Sequence, residues 1–284
     1  MNSKIIGRIG IYAFLAVSTA FFLIPVYIMV TTSLKGMPEI REGNIFALPL
    51  DPNFSAWFKA WSSACIGMAC DGIRGGFGNS LKIMVPSVIL SVALSSLNGY
   101  ALALWNVRRA ELMLGLLMAG AFIPYQVLLY PLVIMTRTLG IYGTLPGIIA
   151  IHVLFGLPVL TLIFRNFYAS LPTEIMKAAR VDGAGFMQIY WRIMLPMSPS
   201  ILVVAVILQV TGIWNDYLLG LIFAGRDNLP MTAQLNNLVN STFGEKEYNV
   251  NMAATILTAA TPLLVYLASG RYFVRGITSG AVKG

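Results

Sequence analysis

Six apolar runs, each close to the length that crosses a bilayer, constrain this chain more than any other feature. They cover about Ile9 to Val30, Ile83 to Leu104, Leu112 to Ile134, Leu145 to Phe164, Ile201 to Phe223 and Met252 to Ala268. A helix needs about 20 predominantly apolar residues to cross the hydrocarbon core. In that solvent every backbone N–H and C=O must be satisfied internally, so such runs fold as helices. Charge supports the same conclusion. Only 11% of the 284 residues are charged and 57% are apolar, whereas soluble domains carry about 25% charged residues. The expectation is an all-α membrane protein with six transmembrane helices in one domain, residues 1–284.

The first run follows Lys4 and Arg8 as a signal peptide would. It exceeds the roughly 7–15 apolar residues of such a leader and reads as an uncleaved first helix. With the N-terminus inside, the inner connections carry eleven Lys and Arg and the longer outer connections eight. That bias predicts both termini in the cytoplasm. The net charge of +8 then belongs to inner loops. No basic patch with interleaved aromatics suggests nucleic acid.

The outer segment from about Thr31 to Lys82 is long and rich in Gly, Pro and Trp. It holds both cysteines, Cys65 and Cys70. Outside the cytoplasm a disulfide could join them. The alternative is two free thiols with no role. Two cysteines without a nearby histidine supply too few ligands for a metal.

The inner segment over residues 170–196 is only half apolar and reads as two short surface helices. Pro172 suits a first helical turn, and Glu174 favours the positive end of a helix. Ala178 and Ala179 are strong helix formers that leave a smooth surface. Gly183 or Gly185 can adopt the left-handed conformation that ends a helix. A second short helix extends to about Leu195, before Pro196. Composition leaves two readings open: an interfacial helix without a partner, or a knob that docks another protein.

The spacing in this segment narrows the choice. Ala178-Ala179, three residues, Gly183, nine residues and Ile193-x-Leu195-Pro196 resemble the coupling-helix signature of ATP-binding-cassette (ABC) importer permeases. The acidic residue usual before the alanine pair is Lys177 here. Glu174, one turn earlier, offers a carboxylate on nearly the same face. The resemblance thus implies ATPase coupling by Glu174, Lys177, Ala178, Ala179, Asp182, Gly183, Ile193, Leu195 and Pro196. Residues Phe273 to Gly284 resemble the C-terminus of maltose-type sugar permeases. There the tail reaches the ATPase dimer, which points to Gly280, Ala281, Val282, Lys283 and Gly284. Gln209 to Leu218, with Trp214-Asn215-Asp216-Tyr217, resembles the fifth helix of the same carbohydrate-uptake class. The Cys65–Cys70 loop and Gln234-Leu235-Asn236-Asn237 look most like α-glucoside or glucose/mannose permeases.

The resemblance covers nearly the whole chain and implies the type I ABC importer permease fold. It implies a second permease subunit, a cytoplasmic ATPase dimer and a soluble sugar-binding protein in a bacterial inner membrane. The chain itself lacks a phosphate-cradling Walker A loop: Lys283 is followed by Gly284 rather than Ser or Thr. ATP and magnesium would therefore be held by the partner ATPase, and no catalytic residue or cofactor is expected here.

Polar residues inside spans are costly and default to functional candidates. Gln209, Asn215 and Asp216, with Trp214 and Tyr217 beside them, suit a sugar: aromatic rings stack on C–H faces and polar groups bond hydroxyls. Helix-to-helix bonding is the ordinary alternative. The lone histidine, His152, reads as a packing residue, because a proton relay needs a carboxylate and its own span has none. Asn98 and Gln126 are lesser candidates, and Pro131 and Pro262 are expected to bend their helices. An ion-coupled secondary transporter is the main rival, but only Asp216 of eleven acids falls in a span. An intramembrane enzyme would need a nucleophile–base pair or metal set that this inventory does not provide.

Overall fold

The computed structural model describes residues 3–66, 69–241 and 245–281, with side chains over 7–66, 69–241 and 245–270. Among the described residues the regular structure is helical, apart from an isolated bridge between Ile66 and Ala69. The helices are α1 (Ser3–Ser33), α2 (Met37–Glu42), α3 (Ser55–Ser62), α4 (Arg74–Leu104), α5 (Ala110–Phe122), α6 (Tyr125–Thr138) and α7 (Leu145–Ala169). After them come α8 (Thr173–Val181), α9 (Phe186–Ile189), α10 (Pro199–Asn215), α11 (Leu218–Phe223), α12 (Met231–Val239) and α13 (Tyr248–Ala281). A π-helical turn, Tyr190–Met194, continues α9.

Among the described residues, four helices are long and apolar enough to cross a membrane: α1, α4, α7 and α13. The number rises to six if α5 with α6, and α9 with α10, each count as one bent span. The expected third span, Leu112 to Ile134, is therefore not one rod. It breaks at Ile123–Pro124, and its halves meet at 102°. Pro124 permits the break: proline has no N–H to donate, and it disfavours the helical region for the residue before it. Ile123 accordingly sits at φ −68°, ψ 126°. Pro131 and Pro262 lie inside helices that run on through them. The expected fifth span is also interrupted, because α10 stops at Asn215 and α11 begins at Leu218.

The chain forms two compact units: residues 1–75 with 234–260, and residues 76–233 with 261–284. In the first, α1 is apolar and almost wholly exposed from Gly7 to Tyr27, as suits a helix whose solvent is hydrocarbon, and is buried at its end, Thr31 to Ser33. The outer segment after it is ordered by specific bonds. Tyr27 Oη donates to the Phe46 carbonyl at 2.8 Å, Trp57 Nε1 to Ser33 Oγ at 3.2 Å, and Asn249 Nδ2 to the Lys35 carbonyl at 3.0 Å. Cys65 and Cys70 are joined by a disulfide. Lys59 Nζ pairs with Glu247 Oε2 at 2.6 Å beside a cleft of about 450 Å³ that Cys65 helps to line.

The second unit is built on the buried face of α4. Ser87, Ser91 and Ser95 recur every fourth residue and are fully buried. Small side chains let helices approach closely in a membrane. At Gly99 α4 lies against α7: a Cβ there would lie 2.6 Å from Phe164 Cβ and 2.7 Å from the Arg165 nitrogen.

Candidate functional site

Two places in the second unit concentrate chemistry. The first is α8 and the turn after it. Glu174, Lys177, Ala178, Val181 and Asp182 are exposed. Their spacing of three, four, seven and eight puts them on one helix face. Met176 and Ala179 are buried on the opposite face. Val181 is 88% exposed, an apolar side chain held open at the tip. Gly183 ends the helix at φ +80°, a conformation glycine adopts without steric cost. Its N–H donates to the Arg180 carbonyl at 3.0 Å, and the Ala184 N–H to the Ala179 carbonyl at 2.9 Å. This is the paired closure of a Schellman cap.

Behind this face the segment is tied to the spans. Arg180 Nη2 donates to the Leu104 carbonyl at 2.9 Å, and its guanidinium lies 4.5 Å over the Trp105 ring. Tyr100 Oη donates to the Phe186 carbonyl at 3.1 Å. The Tyr100 ring packs on Phe186 and Tyr190 at 4.8 and 5.5 Å. Ser96 Oγ and Tyr168 Oη bond at 2.8 Å. Tyr190 Oη donates to Ser96 Oγ at 3.1 Å, and Ser198 Oγ to Tyr168 Oη at 3.3 Å. Helices α4 and α7, the π-turn and the residue before α10 thus share one buried hydroxyl network. Ile193 and Leu195 are half-buried and Pro196 is exposed.

The second place is a cavity of about 380 Å³. It falls within the roughly 300–1,000 Å³ of ligand pockets. Tyr125 and Phe155 supply aromatic rings, while His152, Gln209, Asn215 and Asp216 supply polar groups. The two rings are 6.3 Å apart, edge to face. The break after α10 positions the carboxylate. Asp216 Oδ1 accepts from the Leu219 N–H at 3.2 Å and Oδ2 from the Gly220 N–H at 2.8 Å. Asp216 therefore caps α11 with its side chain, as short acidic residues do at helix starts. Oδ2 also stands 3.9 Å from His152 Nε2, too far for a direct hydrogen bond. Gln209 Nε2 donates to Ser91 Oγ at 3.0 Å and to the His152 carbonyl at 3.4 Å.

Gln209, Asn215 and Asp216 thus meet at one cavity. Trp214 and Tyr217 do not line it. Trp214 is buried with its ring 5.7 Å from that of Phe77. The rings at the cavity, Tyr125 and Phe155, come from α6 and α7 instead. His152 has the carboxylate neighbour that its own span lacks, because Asp216 approaches from the break between α10 and α11. Adjacent residues on a helix point about 100° apart, so Trp214 can face away while Asn215 lines the cavity. The fourth-residue spacing of Asp216 before Gly220, at the end of an apolar run, was the available signal for the break. Asn98 and Gln126 are exposed and off the cavity. In the tail, α13 runs to Ala281, so the backbone at Gly280 and Ala281 is helical; Val282, Lys283 and Gly284 lie outside the described residues.

The comparisons with known proteins agree with this architecture. A probable ABC transporter permease of Pyrococcus horikoshii is 41% identical over 62% of this chain, and the match spans 64% of that protein. A xylose/arabinose import permease of Haloferax volcanii is 30% identical over 96% of this chain and 93% of its own length. The fold is similar, at a TM-score of 0.82, to a solved bacterial ABC transporter involved in import of the acidic polysaccharide alginate. That match covers 96% of this chain and 98% of the other, at 19% identity. The family described as binding-protein-dependent transport system inner membrane component matches residues 92–279. The chain belongs to that family of membrane transport permeases.

Proposed function

We propose that this chain is a transmembrane permease subunit of an ATP-driven, binding-protein-dependent sugar importer. It pairs with a second permease subunit to enclose the channel. A soluble binding protein delivers the sugar, and a separate ATPase dimer holds ATP and magnesium and hydrolyses the ATP. Both termini face the cytoplasm, in line with the Lys and Arg bias of the loops.

The observation that carries this reading is the α8 segment. Its outer face combines Glu174, Lys177 and the flat Ala178 with an uncovered Val181. Its inner side is bonded to the ends of the spans through Arg180, Tyr100 and Tyr190. A surface helix with an open apolar tip and a rigid base suits a knob seated in a cleft of another protein. In the proposed cycle, ATP closes the ATPase dimer and displaces α8. The tethered spans then rock between inward- and outward-facing states, each favoured by different contacts. In this reading the tail residues Gly280, Ala281, Val282, Lys283 and Gly284 contact the same ATPase.

Co-purification tests the assembly. The tagged chain is extracted gently from its native membrane, and its companions are identified by mass spectrometry. The expected companions are an ATPase with a Walker A loop and a second, related permease. Recovery of this chain alone, with sugar uptake intact in a host that lacks the ATPase, would contradict the reading.

A further inference from the structure

The cavity on this chain has the build of a ligand site, and its parts are unlike those of a plain conduit. The Tyr125 and Phe155 rings line it. Four polar side chains line it as well, and their bonding is incomplete in different ways. Asp216 is fixed by two backbone donors. A carboxylate offers about four acceptor positions, so acceptor capacity remains. The amide of Gln209 is oriented by its bonds through Nε2 to Ser91 and to the His152 carbonyl, which leaves its Oε1 for the cavity. Asn215 is exposed at the cavity wall. Between His152 Nε2 and Asp216 Oδ2 is a gap of 3.9 Å, which a hydroxyl oxygen standing to one side could span by bonding both.

We infer that this cavity is a binding site for one ring of a neutral sugar, and that this chain therefore selects substrate rather than only enclosing its path. The inference rests on the importer reading above and adds where the ligand sits and what charge it carries. A pyranose or furanose ring has an apolar C–H face for the aromatic rings and hydroxyls at its edge for the polar groups. Charge sets the class. Asp216 is the one carboxylate among the lining residues, and no Lys or Arg is among them. A uronate carboxylate brought beside Asp216 would meet like charge in a poorly solvated place, with no cation to offset it. The site thus departs from what an acidic polysaccharide needs, although the fold is similar to that of an alginate importer.

The test uses the assembled complex in vesicles, with uptake and vanadate-trapped retention measured for radiolabelled xylose, glucose, maltose, raffinose and digalacturonate. The wild-type complex is expected to retain at least one neutral sugar and to exclude digalacturonate. Asn215→Leu and Phe155→Ala should each raise the half-saturating concentration of the retained sugar about two- to tenfold, the worth of one hydrogen bond or one ring contact. Asn98→Leu, off the cavity, should not. Retention of digalacturonate in preference to the neutral sugars would overturn the inference, as would Asn215→Leu and Phe155→Ala variants that bind as wild type. A complex that imports a neutral sugar but retains none would overturn it too, while leaving the importer reading intact. A complex that imports none of the five would count against the importer reading itself.

Discussion

The α8 base and the cavity lie in the same compact unit, yet they are held in opposite ways. At the α8 base the hydroxyls of Ser96, Tyr168, Tyr190 and Ser198 bond one another, and the Tyr100 ring packs on Phe186 and Tyr190. At the cavity, His152 and Asp216 stand 3.9 Å apart without a direct bond, and Asn215 is open. Packed networks resist deformation, and interiors of native density pass displacement on rather than absorbing it. Unsatisfied polar groups at a cavity wall instead await a partner. A transporter needs both kinds of region: a stiff one where a partner pushes, and an incompletely bonded one where a ligand binds.

The contrast can be broken at its stiff end first. Gly183→Pro should have the largest effect. Proline holds φ near −65°, and this position sits at +80°. The cap closing α8 would be lost, because proline also has no N–H to donate to the Arg180 carbonyl. Membrane insertion should persist while sugar uptake falls to background, as read by fractionation and transport assay. Insertion with normal uptake would remove α8 from the mechanism. Gly99→Val should come next. Its side chain would press on the Phe164–Arg165 backbone, and overpacking of this kind costs about 1–3 kcal/mol. Thermal inactivation of the purified complex should shift down accordingly. The smallest effect is expected of Tyr168→Phe, which removes only a hydroxyl bonded to Ser96 and Ser198. Interhelical hydrogen bonds in membranes average about 0.6 kcal/mol. Stability should scarcely change, but more ATP should be hydrolysed per sugar moved. An unchanged ratio would mean that the network is only packing.

The sequence made the helices legible because length and apolarity are one-dimensional properties. Runs such as Leu145 to Phe164 and Met252 to Ala268 fall within α7 and α13. The all-α membrane class follows from the same property. The breaks were not legible in that way, since Ile123–Pro124 and Asp216–Tyr217 lie inside stretches whose mean apolarity continues through them. Pro124 carried a local signal, but Pro131 and Pro262 carry the same one and their helices continue. Tertiary context decides which proline breaks a helix. The turn at Gly183 was written locally, in a glycine spaced correctly after Ala178-Ala179. The cavity was half legible. Polar residues on one apolar run exposed Gln209, Asn215 and Asp216. Tyr125, His152 and Phe155 reach the same space from other helices, which linear proximity to Trp214 and Tyr217 could not reveal.

The energy source tests the central claim most directly. Vesicles containing the assembled complex and its binding protein are loaded with ATP, and uptake of the transported sugar is followed with vanadate or with a proton uncoupler. The account predicts uptake abolished by vanadate and untouched by the uncoupler. Uptake that survives vanadate and collapses with the uncoupler would contradict it, and would make the Asp216–His152 pair the first candidate for an ion-coupling site.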